Sequence, residues 1–207
     1  MERRENQNRF RRLSELLISV ILLGLCWTLT SLGIVTVGAA TAALNESMRA
    51  VTAEGERKLL PVFFRAFRAH FSLATRVWLL HLLAIAVLAL DLLYYSAGNS
   101  VQDTLAMTVI CVLATMLVFE MSVVFACIVQ NRPGTVRACF AQAFDIAFRC
   151  FWDSLQLLMI AAAVLNAGIF LFRGILPFAA GIIACAHWML LPKIFRKARF
   201  RKPVKKE

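Results

Sequence analysis

Charge is scarce in this chain: Asp, Glu, Lys and Arg together make up 17% of its 207 residues, against about 25% in a soluble domain. Too little polar surface is available to coat a water-soluble core, and 60% of the residues are hydrophobic and fall in long runs with the charge confined between them. Lipid is therefore the expected solvent. Acids are scarcer still, 12 against 23 Lys and Arg, which leaves a formal net charge of +11. Such an excess can serve nucleic acid, but the cations sit at the ends of apolar runs, and no zinc-finger, basic-helix or aromatic RNA-binding motif accompanies them, so no nucleic-acid partner is expected. Catalytic signatures are missing as well. There is no Walker loop, HExxH, GxSxG or CxxC, and no nucleophile stands at a workable spacing from a base. Ser14, Ser19 and Ser31 are ordinary small polar residues. Neither an enzyme activity, a cofactor nor a metal site is expected. The cysteines Cys26, Cys111, Cys127, Cys139, Cys150 and Cys185 are scattered and mostly apolar in context, which fits small buried hydrophobes better than disulfides or metal ligands.

What is present is a series of apolar segments. Arg3, Arg4, Arg9, Arg11 and Arg12 precede the first, and Ala40-Thr41-Ala42 follows it, an outline that superficially fits a secretory leader. The run from Leu16 to Val37 exceeds the usual leader core of about 7–15 residues, so a retained membrane segment is expected. Four more segments have membrane-spanning length: Val77 to Tyr95, Thr104 to Gln130, Ser154 to Phe172 and Gly174 to Leu191. In lipid every backbone amide must be satisfied within its own segment, so each is predicted helical. The expected fold is all-α, a single integral membrane domain over residues 1–207 with about five to six membrane helices.

Lys and Arg number five before Leu13, six from Asn45 to Arg76, none from Asp91 to Asp103, three from Asn131 to Asp153, one at Arg173 and eight after Leu191. Positive loops stay in the cytoplasm, which puts both termini inside, including the basic start at 1–12 and the basic tail at 193–207, and turns the Gly98 loop outward. The tail is expected to lie on anionic lipid. The stretch from Leu13 to Leu44 has basic flanks on both sides but is too short for two crossings of about 20 residues each. Gly33 and Gly38, with the β-branched residues around them, are weak helix formers. A first helix followed by a short re-entrant or returning helix, Thr41 to Ala53, is predicted. Its bend should be buried in the bundle, with Gly38, Ala39, Ala40, Ala42 and Ala43 allowing close approach.

Phe63, Phe67 and Phe71 recur every four residues before the second segment, and Phe140, Phe144, Phe148 and Trp152 do so before the fourth. Each stripe suits either a helix lying in the headgroup layer or the cytoplasmic extension of a membrane helix. A shift of 77 residues superposes the two regions: Phe63 falls on Phe140, Phe67 on Phe144, Phe71 on Phe148, Leu80 on Leu157 and Ala84 on Ala161. A parallel repeat follows from this, of helix, outward crossing and return. Charges invert between the copies, Arg68 against Asp145 and Arg76 against Asp153, and these are candidate interhelical ion pairs. Within the apolar segments His81, Glu120 and His187 stand out, because an ionisable group in hydrocarbon needs a partner or water. They are candidates for a polar cavity open to the cytoplasm that binds a solute or relays protons. Structural contact is the preferred interpretation, since the clustered acids of proton-driven carriers are missing. Asn166 is expected to tie helices together.

The stretch Trp27-Thr28-Leu29 through Thr36-Val37-Gly38-Ala39-Ala40-Thr41-Ala42-Ala43-Leu44, then Phe63-Phe64-Arg65-Ala66-Phe67-Arg68-Ala69-His70-Phe71, resembles the YesL family of bacterial integral membrane proteins. The closing Leu176-Pro177 to Lys193-Ile194-Phe195-Arg196-Lys197 is similar to that family's end. The chain has Ala39 where the family tends to have proline and Asn45 where it tends to have tyrosine, so proline does not force the helix break here. The resemblance implies a context of bacterial carbohydrate use, beside sugar uptake systems, and no catalytic residues. The expected function is an accessory to carbohydrate uptake in the plasma membrane, working through partner proteins. The alternative is a small-solute transporter in its own right, using a polar cavity near Glu120.

Overall fold

A computed structural model describes residues 2–54, 58–98, 100–166 and 176–200, with side chains at 14–52, 58–98, 100–166 and 178–190. The fold is an all-α bundle. In chain order come α1 (Glu2–Thr30), a 3-10 turn (Ile34–Thr36), α2 (Val37–Arg49), a π-helical turn (Ala50–Glu54), α3 (Leu59–Ser96), α4 (Val101–Asn131), α5 (Val136–Arg149), α6 (Phe151–Asn166) and α7 (Leu176–Phe200). Two of them, α3 and α4, are long and apolar enough to cross a membrane, and the bent pair α5–α6 makes a third candidate. The apolar parts of α1 (Ser14–Thr30) and α7 (Phe178–Leu190) are shorter. In the most apolar window of α3 only 11% of the residues are buried, and Leu83, Leu90, Leu93 and Leu105 point outward. Hydrocarbon is the surrounding in which such a surface is stable.

The first segment ends sooner than its hydropathy predicts, at Thr30 instead of Val37. Side chains explain the break. Thr36 Oγ1 donates to the Thr30 carbonyl at 2.6 Å, and Trp78 Nε1 donates to the Ile34 carbonyl at 2.8 Å, so carbonyls freed by the break find donors outside the helix ladder. The bend is not buried as predicted: Leu32 and Ile34 are 79% and 70% exposed. With two of its carbonyls satisfied by Thr36 and Trp78, the turn stands at the bundle surface, while Ser31 Oγ beside it is buried without a partner.

What is buried is α2, the returning helix, which starts four residues ahead of the predicted Thr41. Gly38, Ala39, Ala40, Ala42 and Ala43 are all buried on it, and its main neighbour is α3. A Cβ at Gly38 would fall 2.5 Å from the Ala74 carbonyl oxygen of α3, so only glycine permits this approach. Gly181 plays the same part between α7 and α1, where an added Cβ would meet the Val20 carbonyl oxygen at 2.3 Å.

α4 opens with a capping box in which Ser100 Oγ accepts from the Asp103 amide at 3.1 Å and Asp103 Oδ2 accepts from the Ser100 amide at 2.9 Å. It closes at Arg132, which adopts φ 45° in the left-handed region immediately before Pro133. The phenylalanine stripes resolve differently. The first lies on the unbroken extension of α3, about 57 Å long at 1.5 Å per residue. The second is split: Phe140, Phe144 and Phe148 lie on a separate helix, α5, bent by 101° from α6, which carries Trp152. The 77-residue shift carries the start of α3 at Leu59 onto the start of α5 at Val136. Asn166 donates to the Ala162 carbonyl of its own helix and is exposed, so it does not tie helices together.

Candidate functional site

α3, α4 and α5 converge on a polar pair. His81 Nε2 lies 2.7 Å from Glu120 Oε2, and both side chains are fully buried. His81 Nδ1 sits 2.8 Å from the Val77 carbonyl. A carbonyl can only accept, so Nδ1 carries a proton and orients the ring; one further proton lies between Nε2 and Oε2. Whichever atom holds it, the pair has no net charge, and that is what makes it tolerable among apolar helices. The imidazole stacks on Phe140 of α5, with centroids 5.1 Å apart and planes at 25°, while Glu120 Oε1 is buried with no partner.

His187, the third candidate, does not join this pair. It lines a half-open pocket of about 270 Å³ walled by α1, α2, α4, α6 and α7, to which neither His81 nor Glu120 contributes. The pocket's polar members are Trp27, Thr41, Asn45, Ser122 and His187, and its remaining wall is apolar. Nearly every proton there is already donated: Trp27 Nε1 to Thr41 Oγ1 at 3.1 Å, Thr41 Oγ1 to the Val37 carbonyl at 2.8 Å, Asn45 Nδ2 to the Thr41 carbonyl at 2.9 Å, and Ser122 Oγ to the Phe119 carbonyl at 2.7 Å. Trp188 Nε1 reaches in from α7 to Asn45 Oδ1 at 3.0 Å. His187 Nε2 is buried without a partner. The three candidates thus fall into two separate features, a buried pair and a hollow.

The predicted cross-repeat ion pairs do not form. Arg68 is exposed, Asp145 pairs with Arg149 one turn along α5, and Arg76 Nε and Nη2 donate to the carbonyl and hydroxyl of Ser72 on its own helix. Local partners at i and i+4 are within reach without any helix having to move. A cluster that the sequence did not single out takes their place. Glu46 of α2 accepts from His70 Nε2 of α3 at 2.6 Å and stands 3.5 Å from Arg132 and 3.9 Å from Arg49. Donation by His70 is the main reason that the Glu46 carboxyl titrates below the usual carboxylate range, with the two arginines adding to it. The cluster binds the ends of α2 and α4 to the long extension of α3. Apart from Arg49, one turn away, its members lie 24 and 86 residues from Glu46 in the chain, so local spacing does not reveal it.

All six cysteines are free thiols. The tail at 193–207 and the turn at Arg173 lie outside the residues whose side chains are described. No curated protein and no solved structure matches the chain. Residues 18–92, which run from the apolar part of α1 through α2 and most of α3, match the family described as protein of unknown function, DUF624.

Proposed function

We propose that this is a YesL-type protein of the bacterial plasma membrane, multi-pass with both termini in the cytoplasm, that assists carbohydrate uptake through contacts with an uptake system and does not itself carry the sugar. The match over residues 18–92 supports the first part, since that family is the one to which YesL-type proteins belong. The orientation rests on charge. Arg49, His70 and Arg132 gather around Glu46 at one end of the bundle, whereas the α3–α4 connection at the other end has no Lys or Arg between Asp91 and Asp103.

One observation carries the preference for an accessory over a carrier. Glu120, the acid set deepest among the apolar helices, is sealed against His81 with neither side chain exposed, and it does not line the described pocket. The hollow nearby suits a sugar poorly, because it is mostly apolar and has committed its donors to its own helices, while a polyol needs many partners of both kinds. The test is uptake in two settings. Cells lacking the protein should lose uptake of one or more sugars in a comparison across many, and purified protein in liposomes should move none of them. Sugar movement in liposomes, abolished by Glu120→Gln, would establish the carrier instead. Reporters fused at Gly98 and Gly134 should read outside and cytoplasmic respectively.

A further inference from the structure

The hollow beside Trp27 is long, uncharged and open on an apolar side. Along α7 it is lined by Ala179, Ala180, Ile183, Ala184 and His187, a stripe spaced by fours that follows one helix face for about 12 Å at 1.5 Å per residue. An apolar cavity of about 150 Å³ takes benzene; this one, at about 270 Å³ and drawn out over two helical turns, suits an extended chain better than a compact ring. No Asp, Glu, Lys or Arg lines it, so an ion would enter without a counter-charge. Trp27, Thr41 and Ser122 already donate to protein acceptors, and Asn45 Oδ1 accepts from Trp188, so the wall offers a guest mainly apolar contact. Of the described lining side chains Leu165 alone is exposed, and Met159, Ala162 and Ala163 are exposed along the same helix. That apolar surface marks the mouth, which therefore faces hydrocarbon and not water.

We infer that the hollow is a site for one acyl chain of a bilayer phospholipid, which enters past Leu165 and lies along α7 against Leu44, Met121, Phe125 and Ile183, with its headgroup left outside. Transfer from bilayer to hollow gains no hydrophobic energy, since both are apolar; the gain is in contact. An empty hollow forfeits the dispersion contacts of every side chain that lines it, and a chain restores them. The phospholipid is favoured over a water-borne solute because the mouth opens where acyl chains are the solvent. The site is independent of the accessory role, and either stands if the other fails.

Carbene mapping tests this on the wild-type protein. The chain is reconstituted in phosphatidylcholine vesicles in which part of the lipid bears a diazirine midway along one acyl chain, the sample is irradiated, and labelled residues are located by peptide mass spectrometry. Leu83 and Leu90, which point outward, report the surrounding bilayer. Leu44 and Phe125, only 2% and 5% exposed but lining the hollow, should be labelled too. Val123 and Ile128, buried as deeply but away from it, should not. Ala180→Phe, which sets a ring in the hollow, should clear the label from Leu44 and Phe125 and leave it on Leu83 and Leu90. The proposal is overturned by label confined to outward residues, by equal label on Val123 and Ile128, or by label on Leu44 and Phe125 that persists in a folded Ala180→Phe variant. Labelling of Leu44 and Phe125 by a free diazirine-bearing alkane but not by the phospholipid also overturns it, and assigns the hollow to a small apolar solute. The wild-type map decides even if the variant fails to fold.

Discussion

Replacing His81 by phenylalanine strands the Glu120 carboxyl. The ring can still stack on Phe140, 5.1 Å away, but Oε2 loses its only partner and Oε1 has none to begin with. Breaking a buried pair from one side costs about 3–5 kcal/mol. Glu120→Leu is milder, since it leaves one neutral imidazole nitrogen unsatisfied at about 1–3 kcal/mol. The double variant His81→Phe/Glu120→Leu removes both polar groups and fills the space with hydrocarbon, so it should be more stable than His81→Phe alone and fall within about 1–2 kcal/mol of the wild type. A double-mutant cycle on unfolding in mixed micelles measures this directly. The reasoning fails if the double variant loses as much as the two single variants summed, or if His81→Phe is neutral. The first result would mean that the groups do not interact; the second, that water reaches Glu120.

Three other outcomes follow from the packing and the charges. Glu46 has a carboxyl pKa held below its unfolded value, chiefly by His70, so its stabilisation is complete above the ordinary value of about 4.3 and is lost as the pH falls through the lowered folded one. Glu46→Gln should cost about 2 kcal/mol at neutral pH and flatten the acid limb of a stability–pH curve; an unchanged acid limb counts against the cluster. Gly38→Ala and Gly181→Ala should each destabilise by about 1–3 kcal/mol in thermal unfolding, because each new methyl meets backbone, whereas Gly134→Ala, which meets nothing within 4 Å, should be silent. Fusing a reporter at Gly98 should expose it outside the cell, and a cytoplasmic signal there would reverse the proposed orientation.

The bundle's helices were legible because hydropathy and segment length bear directly on what lipid tolerates, and the small residues of α2 marked a close approach that the structure places against α3. Helix ends were less legible. The first break depends on Thr36 and Trp78 reaching particular carbonyls, and no hydropathy window senses such bonds. His81, Glu120 and His187 were legible as a group because an ionisable side chain in hydrocarbon needs a partner or water, but the pairing of His81 with Glu120 in particular was not. His187 stands apart on a separate pocket, because the face of α7 on which it sits is a question of rotation, and the nearly uniform apolar surroundings of that helix carry little rotational signal. The Glu46 cluster needed three elements assembled before its members could be seen as neighbours.

The two phenylalanine stripes show how similar sequences part company. Under the 77-residue shift the break at Cys150 falls on Leu73, in the middle of unbroken α3. Neither site has glycine or proline, so the difference lies in the flanks. Arg149 occupies the last turn of α5 and Asp153 the first turn of α6, each at the helix end whose dipole its charge complements, worth about 0.3–1 kcal/mol apiece. The corresponding residues of α3 are Ser72 and Arg76, and an arginine in the first turn of a new helix would oppose its dipole by a similar amount. The charge inversion between the copies therefore acts within each copy and not across the interface. It favours two helix ends at one place and a continuous helix at the other, and it lets α5 turn aside with Phe144, Phe148 and, past the bend, Phe151 and Trp152 exposed, an aromatic face of the kind that settles at the headgroup boundary.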